Sequence, residues 1–217
     1  MHYQNPPETI AKIIVRHETT SSAFTWVLSV LAKHPRYQNR VREELRQNVG
    51  TDALKETRQL ASILESLPWL NAICNETIRL FPTVPNTRRI AARDTTLGGQ
   101  RIPAGTEFLV PIWWLNRSPQ LWGLNATDFC PERWIDAATG KPNKSGGAES
   151  NYALLTFLHG PRSCIGQGFA RAELRALVAA WVLSFEFEMA RPEEILVPEG
   201  MVTVKPRGGL HLRVKLV

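Results

Sequence analysis

F-L-H-G-P-R-S-C-I-G, running from Phe157 to Gly166, decides how the rest of this 217-residue chain is read. It sets one cysteine, Cys164, in a loop bounded by Gly160 and Gly166, with Arg162 two residues before it. A helix-forming stretch, Gln167 to Trp181, follows directly. A thiol at the head of a helix sits among free backbone N–H groups and positive charge, and both favour the thiolate. Glycine at the loop margins permits tight turning and close backbone approach to a flat ligand. An isolated cysteine is most often a small buried hydrophobe; in these surroundings Cys164 reads instead as a thiolate donor.

Composition narrows the classes. Hydrophobic residues make up 43% of the chain and seven are Trp, enough to build a substantial core and unlike a disordered segment. Cys74, Cys130 and Cys164 lie far apart with no C-x-x-C pair, which speaks against a disulfide framework or a structural zinc site and fits a reducing compartment. The net charge of +6 suits an anionic membrane or an acidic protein partner. There is no dense Lys/Arg block and no basic run interleaved with aromatics, so nucleic acid is not indicated. Met1 to Pro7 has no apolar core of a signal peptide, and no apolar run of about eighteen residues reads as a membrane span.

Helical periodicity predicts a long helix over Glu8–Lys33, with Ile10, Ile13, Ile14, Phe24, Val27, Leu28 and Leu31 on its apolar side. Pro35 ends it and opens a second helix, Arg36 to Asn48, stopped by Gly50. A third is predicted over Leu54–Glu65 and a fourth from Pro68 to Leu80, halted by Pro82. Between Val84 and Pro111, Pro, Gly, Thr and β-branched residues predict short strands and hairpins, with a turn at Gly98-Gly99. Residues 116–136 read as irregular, and Lys141 to Ser150 as a polar surface loop. Phe185, Phe187 and Met189 alternate with glutamates, and Leu210, Leu212, Val214 and Leu216 alternate with polar residues, so strands are expected at the end. The fold class is mainly α with small β-sheets.

The decapeptide resembles the cysteine loop F-x-x-G-x-R-x-C-x-G of the cytochrome P450 haem-thiolate monooxygenases at Phe157, Gly160, Arg162, Cys164 and Gly166. Three further motifs stand in family order: Glu18-Thr19-Thr20, like the distal acid–alcohol motif; Glu76 and Arg79, like E-x-x-R; and Pro131-Glu132-Arg133-Trp134, like P-E-R-F/W. The resemblance runs from about His17 to the C-terminus and is closest in flavour to a fungal enzyme of the microsomal type. It implies an incomplete P450 domain over 1–217, with 1–16 an atypical lead-in and 17–80 the helical part. The β-rich and meander part would then span 84–136, the cysteine loop and its helix 157–184, and the C-terminal strands 185–217.

By that resemblance, the cofactor is haem and Cys164 its iron ligand, a donor that favours O–O cleavage. Phe157, Gly160, Arg162 and Gly166 would bind the cofactor, Arg162 by neutralising an acidic group, and Arg88 would meet a propionate beside pocket residues Val84 and Pro85. Glu18 and Thr19 would relay protons. Arg133 would join Glu76 and Arg79 in a buried network, since one carboxylate can accept from two guanidinium forks. The implied reaction inserts one atom of O2 into a small organic substrate, with electrons from an NADPH-dependent reductase. Lys33, Arg36, Arg40, Arg171 and Arg175 are expected to dock that partner. A full-length relative would sit at the endoplasmic reticulum membrane through an N-terminal anchor that this sequence does not show. Val15 and Arg16 stand where the family has a small residue and glycine. The lead-in is therefore expected to arise from an abnormal splice or an internal start, with Arg16 crowding the oxygen site. The alternative reading is a truncated, non-catalytic remnant that does not hold haem stably. His159 occupies a variable position of the loop and is not expected to be a second ligand.

Overall fold

Four helices come first in the computed structural model, which describes the backbone of residues 8–50 and 57–217 and side chains from His17 to Gly50 and from Gln59 onward. The expectations for Met1 to Pro7, for the start of the third helix at Leu54 and for the Arg16 side chain lie outside the described residues. Helix α1 spans Glu8–Lys33 and α2 spans Pro35–Asn48. Pro35 takes the first position of α2, where its missing N–H costs nothing and its fixed φ suits the helix. Helices α3, Thr57–Ser66, and α4, Pro68–Leu80, follow, and Pro68 repeats the same device. The next N–H groups of α4 are captured from another helix: Trp69 and Leu70 donate to the two carboxylate oxygens of Glu44 at 2.8 and 2.9 Å.

The β-rich stretch resolves into antiparallel pairs. Strand β1, Thr87–Ile90, pairs with β4, Glu107–Val110, and β2, Thr95–Leu97, pairs with β3, Gln100–Ile102. Gly98 and Gly99 make the β2–β3 turn at φ of 57° and 81°, a conformation open to glycine. Within the stretch expected to be irregular, the structure adds short helix α6, Pro119–Trp122, after α5, Ile112–Leu115, and a 3-10 turn over Pro131–Trp134. Helix α7 runs Gln167–Ser184 and passes straight into β5, Phe185–Met189. Strands β6, Pro198–Glu199, and β7, Lys205–Pro206, form a small pair, and β8, Leu212–Leu216, returns along β5 with Phe187 opposite Val214. The architecture is mainly helical with small antiparallel sheets, in line with the pattern of the sequence.

One core is shared by α1, α2, α4 and α7, with Val27, Leu31, Val41, Leu45, Leu70, Ile73, Val178 and Val182 fully buried. A second, smaller cluster of Ala72, Trp122, Ala126, Trp134 and Ala153 covers another side of α4. Helix α4 is thus enclosed, which is why its polar residues Glu76, Thr77 and Arg79 are buried and need partners. The edge of β5 is closed by side chains of α2. Gln38 accepts from Phe187 N–H at 3.1 Å and donates to Phe187 C=O at 2.9 Å, while Arg42 donates to the carbonyls of Phe185 and Val182 at 2.7 and 3.0 Å. A glutamine amide here does the work of a neighbouring strand, and the arginine satisfies carbonyls at the end of α7. Among the described residues no helix is long and apolar enough to cross a membrane.

Glu44 caps α4 across a tertiary contact, so Glu44→Ala should lower stability by about 1 kcal/mol, the usual worth of a lost N-terminal cap. Urea unfolding measures the loss, and amide exchange should speed up first at Trp69 and Leu70.

Candidate cofactor site

The loop before α7 is held by few, well-placed bonds. Leu158 N–H donates to Leu155 C=O at 2.9 Å, and Cys164 N–H donates back to Phe157 C=O at 2.9 Å, closing the loop at its stem. Gly160 opens a 3-10 turn, Gly160–Arg162, at φ 70°. Leu158 adopts φ 59°, alone among described non-glycine residues in having a positive φ. That conformation costs a residue with a Cβ about 1–2 kcal/mol, so the loop needs outside support. Gly166 is the N-cap of α7, and Ala170 N–H donates to its carbonyl at 2.9 Å. Phe157 packs against the main core with the Arg171 guanidinium 5.1 Å above its ring.

Support comes from α4. Glu76 and Arg79 share one face of the helix and are fully buried. Arg79 grips Glu76 with both Nε and Nη2, each at 2.8 Å. Arg133 reaches the same carboxylate through Nε alone, at 3.1 Å. Its two terminal nitrogens turn instead to the carbonyls of Trp122 and Asn125 at 3.4 and 3.2 Å. Only one guanidinium fork therefore faces Glu76. The place of the second is taken by donors that sequence reasoning missed, the Cys130 backbone N–H and Trp134 Nε1, both at 2.9 Å. Also missed was Asn116, fully buried. Its carbonyl accepts from Arg79 Nη1 at 2.6 Å, and its side chain reaches Thr156 and Leu155 in the loop stem. No short motif marks Cys130 or Asn116, and the motif that contains Trp134 does not say which partner its ring N–H serves; these roles arise from packing across long sequence separations.

Other sequence-predicted residues are placed separately. Glu18 is exposed on α1, Thr19 is half-buried and Thr20 is buried. Thr20 lines an open cleft of about 540 Å³ between α1 and α7, together with His17, Ser21, Phe24, Phe169, Glu173 and Leu177. At 100° per residue this face of α1 is not the one bearing Glu18 and Thr19, and Cys164 does not line the cleft. Arg88 is exposed and pairs across the sheet with Glu107 at 3.0 Å. Arg162 is exposed, and His159 lies against Tyr152 with ring centres 5.2 Å apart. The expected basic docking face needs correction at two positions. Arg171 bonds Asn75, and Arg175 donates to Asn71 Oδ1 at 3.0 Å, so both turn inward onto α4. Burial, and then the neighbouring Arg175, lower the Arg171 pKa. Lys33, Arg36 and Arg40 remain exposed.

The three thiols are distinguishable. Burial pushes Cys74 up to about 12, and burial followed by the Glu132 charge raises Cys130. Cys164 alone is exposed. Beside it Ile165 is fully exposed and Phe169 is 52% exposed, so apolar surface adjoins the accessible thiol. Such a donor and surface fit a flat apolar cofactor with a metal centre.

The chain belongs to the cytochrome P450 family, whose profile matches residues 14–213. It is 49% identical over 195 residues to the cytochrome P450 monooxygenase sphH of Aspergillus fumigatus, covering 89% of this chain and 35% of that protein. It is 46% identical over 199 residues to the cytochrome P450 monooxygenase ptmK of Penicillium ochrochloron, covering 92% and 39%. The cytochrome P450 monooxygenase abl5 of Leptosphaeria maculans is 44% identical over 209 residues, covering 92% and 38%. The chain thus spans between a third and two-fifths of the length of these relatives. The profile match includes Val15 and Arg16.

Replacing Glu76 by glutamine would leave Arg79 and Arg133 buried against a neutral group. Glu76→Gln should cost roughly 3–5 kcal/mol, the scale of breaking a buried ion pair. Chemical denaturation measures it, and Arg88→Gln, which breaks an exposed pair, serves as the control with a change below about 1 kcal/mol.

Proposed function

We propose that this chain forms the thiolate-bearing part of a haem monooxygenase, with Cys164 as the iron ligand. The observation that carries the reading is an accessible thiol, flanked by exposed apolar side chains, on a loop whose stem is tied to a buried ion network. When bound, the haem supplies the oxygen chemistry, inserting one atom of O2 into an organic substrate. The protein's part is to hold and orient. Phe157, Gly160 and Gly166 shape the loop so that the Cys164 thiol faces outward. Arg162 offers a cation to an acidic edge of the cofactor, and Arg88 a second once its Glu107 pairing is exchanged. Glu18 and Thr19, on α1, are the pair that would hold and pass protons at a carboxyl and a hydroxyl. Glu76, Arg79 and Arg133 fix the scaffold and touch no substrate.

Electrons would come from an NADPH-dependent reductase, drawn by the exposed cations Lys33, Arg36 and Arg40. Charge of this kind steers encounter more than it sets affinity. Attachment to the endoplasmic reticulum membrane belongs to the same reading. A second reading has its own support, namely the exposure of Ile165, Phe169 and Leu177 and the openness of the α1–α7 cleft. By it, these 217 residues alone hold haem weakly and are non-catalytic, because apolar patches of this kind are normally covered.

In a haem-binding form of the protein, Cys164→Ala should abolish the thiolate-type absorption of the reduced carbonyl complex; an unchanged band would refute the ligand assignment. Purified alone, mixed with haem and reductase, the 217-residue chain should bind well under one haem per chain and form no NADPH-dependent product. A soluble monomer with about one haem and coupled turnover would overturn the second reading.

A further inference from the structure

We infer that Asn116 is the positioning residue through which the buried Glu76–Arg79 pair sets the loop carrying Cys164. The inference deepens the haem-thiolate reading and takes its functional meaning from it. Every hydrogen-bond direction around this side chain is forced. Arg79 C=O can only accept, so the atom 3.0 Å from it is the Asn116 amide nitrogen. Leu155 N–H can only donate, so the atom 3.2 Å from it is the Asn116 amide oxygen. The Thr156 hydroxyl spends its single proton on Ile78 C=O at 2.8 Å and therefore accepts from Asn116 Nδ2 at 2.9 Å. No other amide orientation satisfies these three partners.

The consequence is a continuous path. Glu76 orients the Arg79 guanidinium, and Arg79 Nη1 holds the Asn116 backbone carbonyl. The Asn116 side chain then holds Leu155 and Thr156, the two residues before Phe157. Leu155 C=O in turn anchors the left-handed Leu158, and Phe157 C=O receives the Cys164 N–H. Another side chain at this stem, Arg171, lies with its guanidinium over the Phe157 ring. Aspartate at 116 would keep the acceptor for Leu155 but present an oxygen to Arg79 C=O and Thr156, which both need a donor. A hydrophobic residue would leave the half-buried Leu155 N–H without its Asn116 acceptor. Asparagine meets the whole set.

The test is residue-resolved amide exchange on the haem-free 217-residue chain, comparing Cys164 with the distant Val49, whose N–H donates to Leu45 C=O at 2.8 Å. Asn116→Asp should speed exchange at Cys164 by about ten-fold, the scale of losing two hydrogen bonds, and leave Val49 unchanged. Thr156→Val, which removes the bonds to both Asn116 and Ile78, should likewise speed Cys164 by about ten-fold, and Thr156→Ser, which retains the hydroxyl, should keep the wild-type rate. Should Asn116→Asp unfold the chain, the contrast between Thr156→Val and Thr156→Ser decides. Equal acceleration at Cys164 and Val49 in Thr156→Val, no difference between valine and serine, or an unprotected Cys164 amide in the wild type overturns the inference. In a haem-binding form of the protein, Asn116→Asp should also lower the thiolate-type fraction of the reduced carbonyl spectrum relative to Thr156→Ser. A wild-type haem-bound form that gives no thiolate band, while the exchange pattern persists, refutes the haem reading and leaves the role of Asn116 standing.

Discussion

A single buried carboxylate organises this molecule. Glu76 has no solvent contact, and its charge is met by Arg79 Nε and Nη2, Arg133 Nε, the Cys130 N–H and Trp134 Nε1. Removing a carboxylate from water costs several kcal/mol, and only a nearly complete shell of donors offsets that. Two guanidinium groups against one carboxylate leave an excess positive charge. The excess is spread onto backbone carbonyls: those of Asn116, Ala126 and Asp128 for Arg79, and those of Trp122 and Asn125 for Arg133. Each of these carbonyls belongs to the chain between α5 and the P-E-R-W turn. Charge neutralisation and the path of that segment are therefore the same requirement. The network adds geometry more than stability, because it wraps the fifteen residues between α5 and that turn around one helix.

The same excess charge reaches a neighbour. Burial lowers Arg117 to about 10, with the adjacent Arg79 charge acting in the same direction. Arg117 finds its compensation in π-electron density, with its guanidinium 3.7 Å from the centre of the Trp113 ring and 5.5 Å from that of Phe81. Phe81 in turn stacks on Trp26 of α1 at 4.4 Å. The cation–π contacts connect the α4 network to the helix that carries Glu18 and Thr19, so both sequence motifs hang on one frame. Arg171 and Arg175 show the opposite balance. They face asparagines of α4, and among the described residues neither has an acid as a hydrogen-bond partner and the Nε of each is buried without a partner.

Periodicity and proline placement made the helices and the β5–β8 pair legible in the sequence, because each depends on its own residues. The Cys164 loop was legible for a similar reason: its turn geometry and its thiol are written within ten consecutive residues. What could not be read was anything whose meaning depends on a distant partner. Asn116 stands between Trp114 and Ser118 in a stretch with no period, and its partners lie 37 to 40 residues away on both sides. Arg171 and Arg175 read as surface charge because arginine on a helix usually is. Asn71 and Asn75, two turns and one turn earlier on α4 than Arg79, recruit them inward. The E-x-x-R pair could be paired with Arg133 by resemblance, but the way Arg133 divides its nitrogens between Glu76 and two carbonyls is a matter of tertiary geometry alone.

The fourth letter of P-E-R-W carries a further constraint. Phenylalanine at that position could fill the small cluster with Trp122 and Ala153, but it has no N–H to give Glu76. Tryptophan supplies the donor and, being larger, needs room. Its ring sits so close to Gly146 that a Cβ there would lie 2.9 Å from the ring carbons, and Gly146 is itself at φ 61°. Two independent reasons thus require glycine in the polar loop 141–150. Asn143 N–H donates to Trp134 C=O at 2.6 Å, pinning the same loop to the same residue. A stretch that reads as exposed connection is in this way seated against the ring that completes the shell of Glu76. The buried charge extends its demands through Trp134 to a surface loop, as it does through Asn116 to the loop of Cys164.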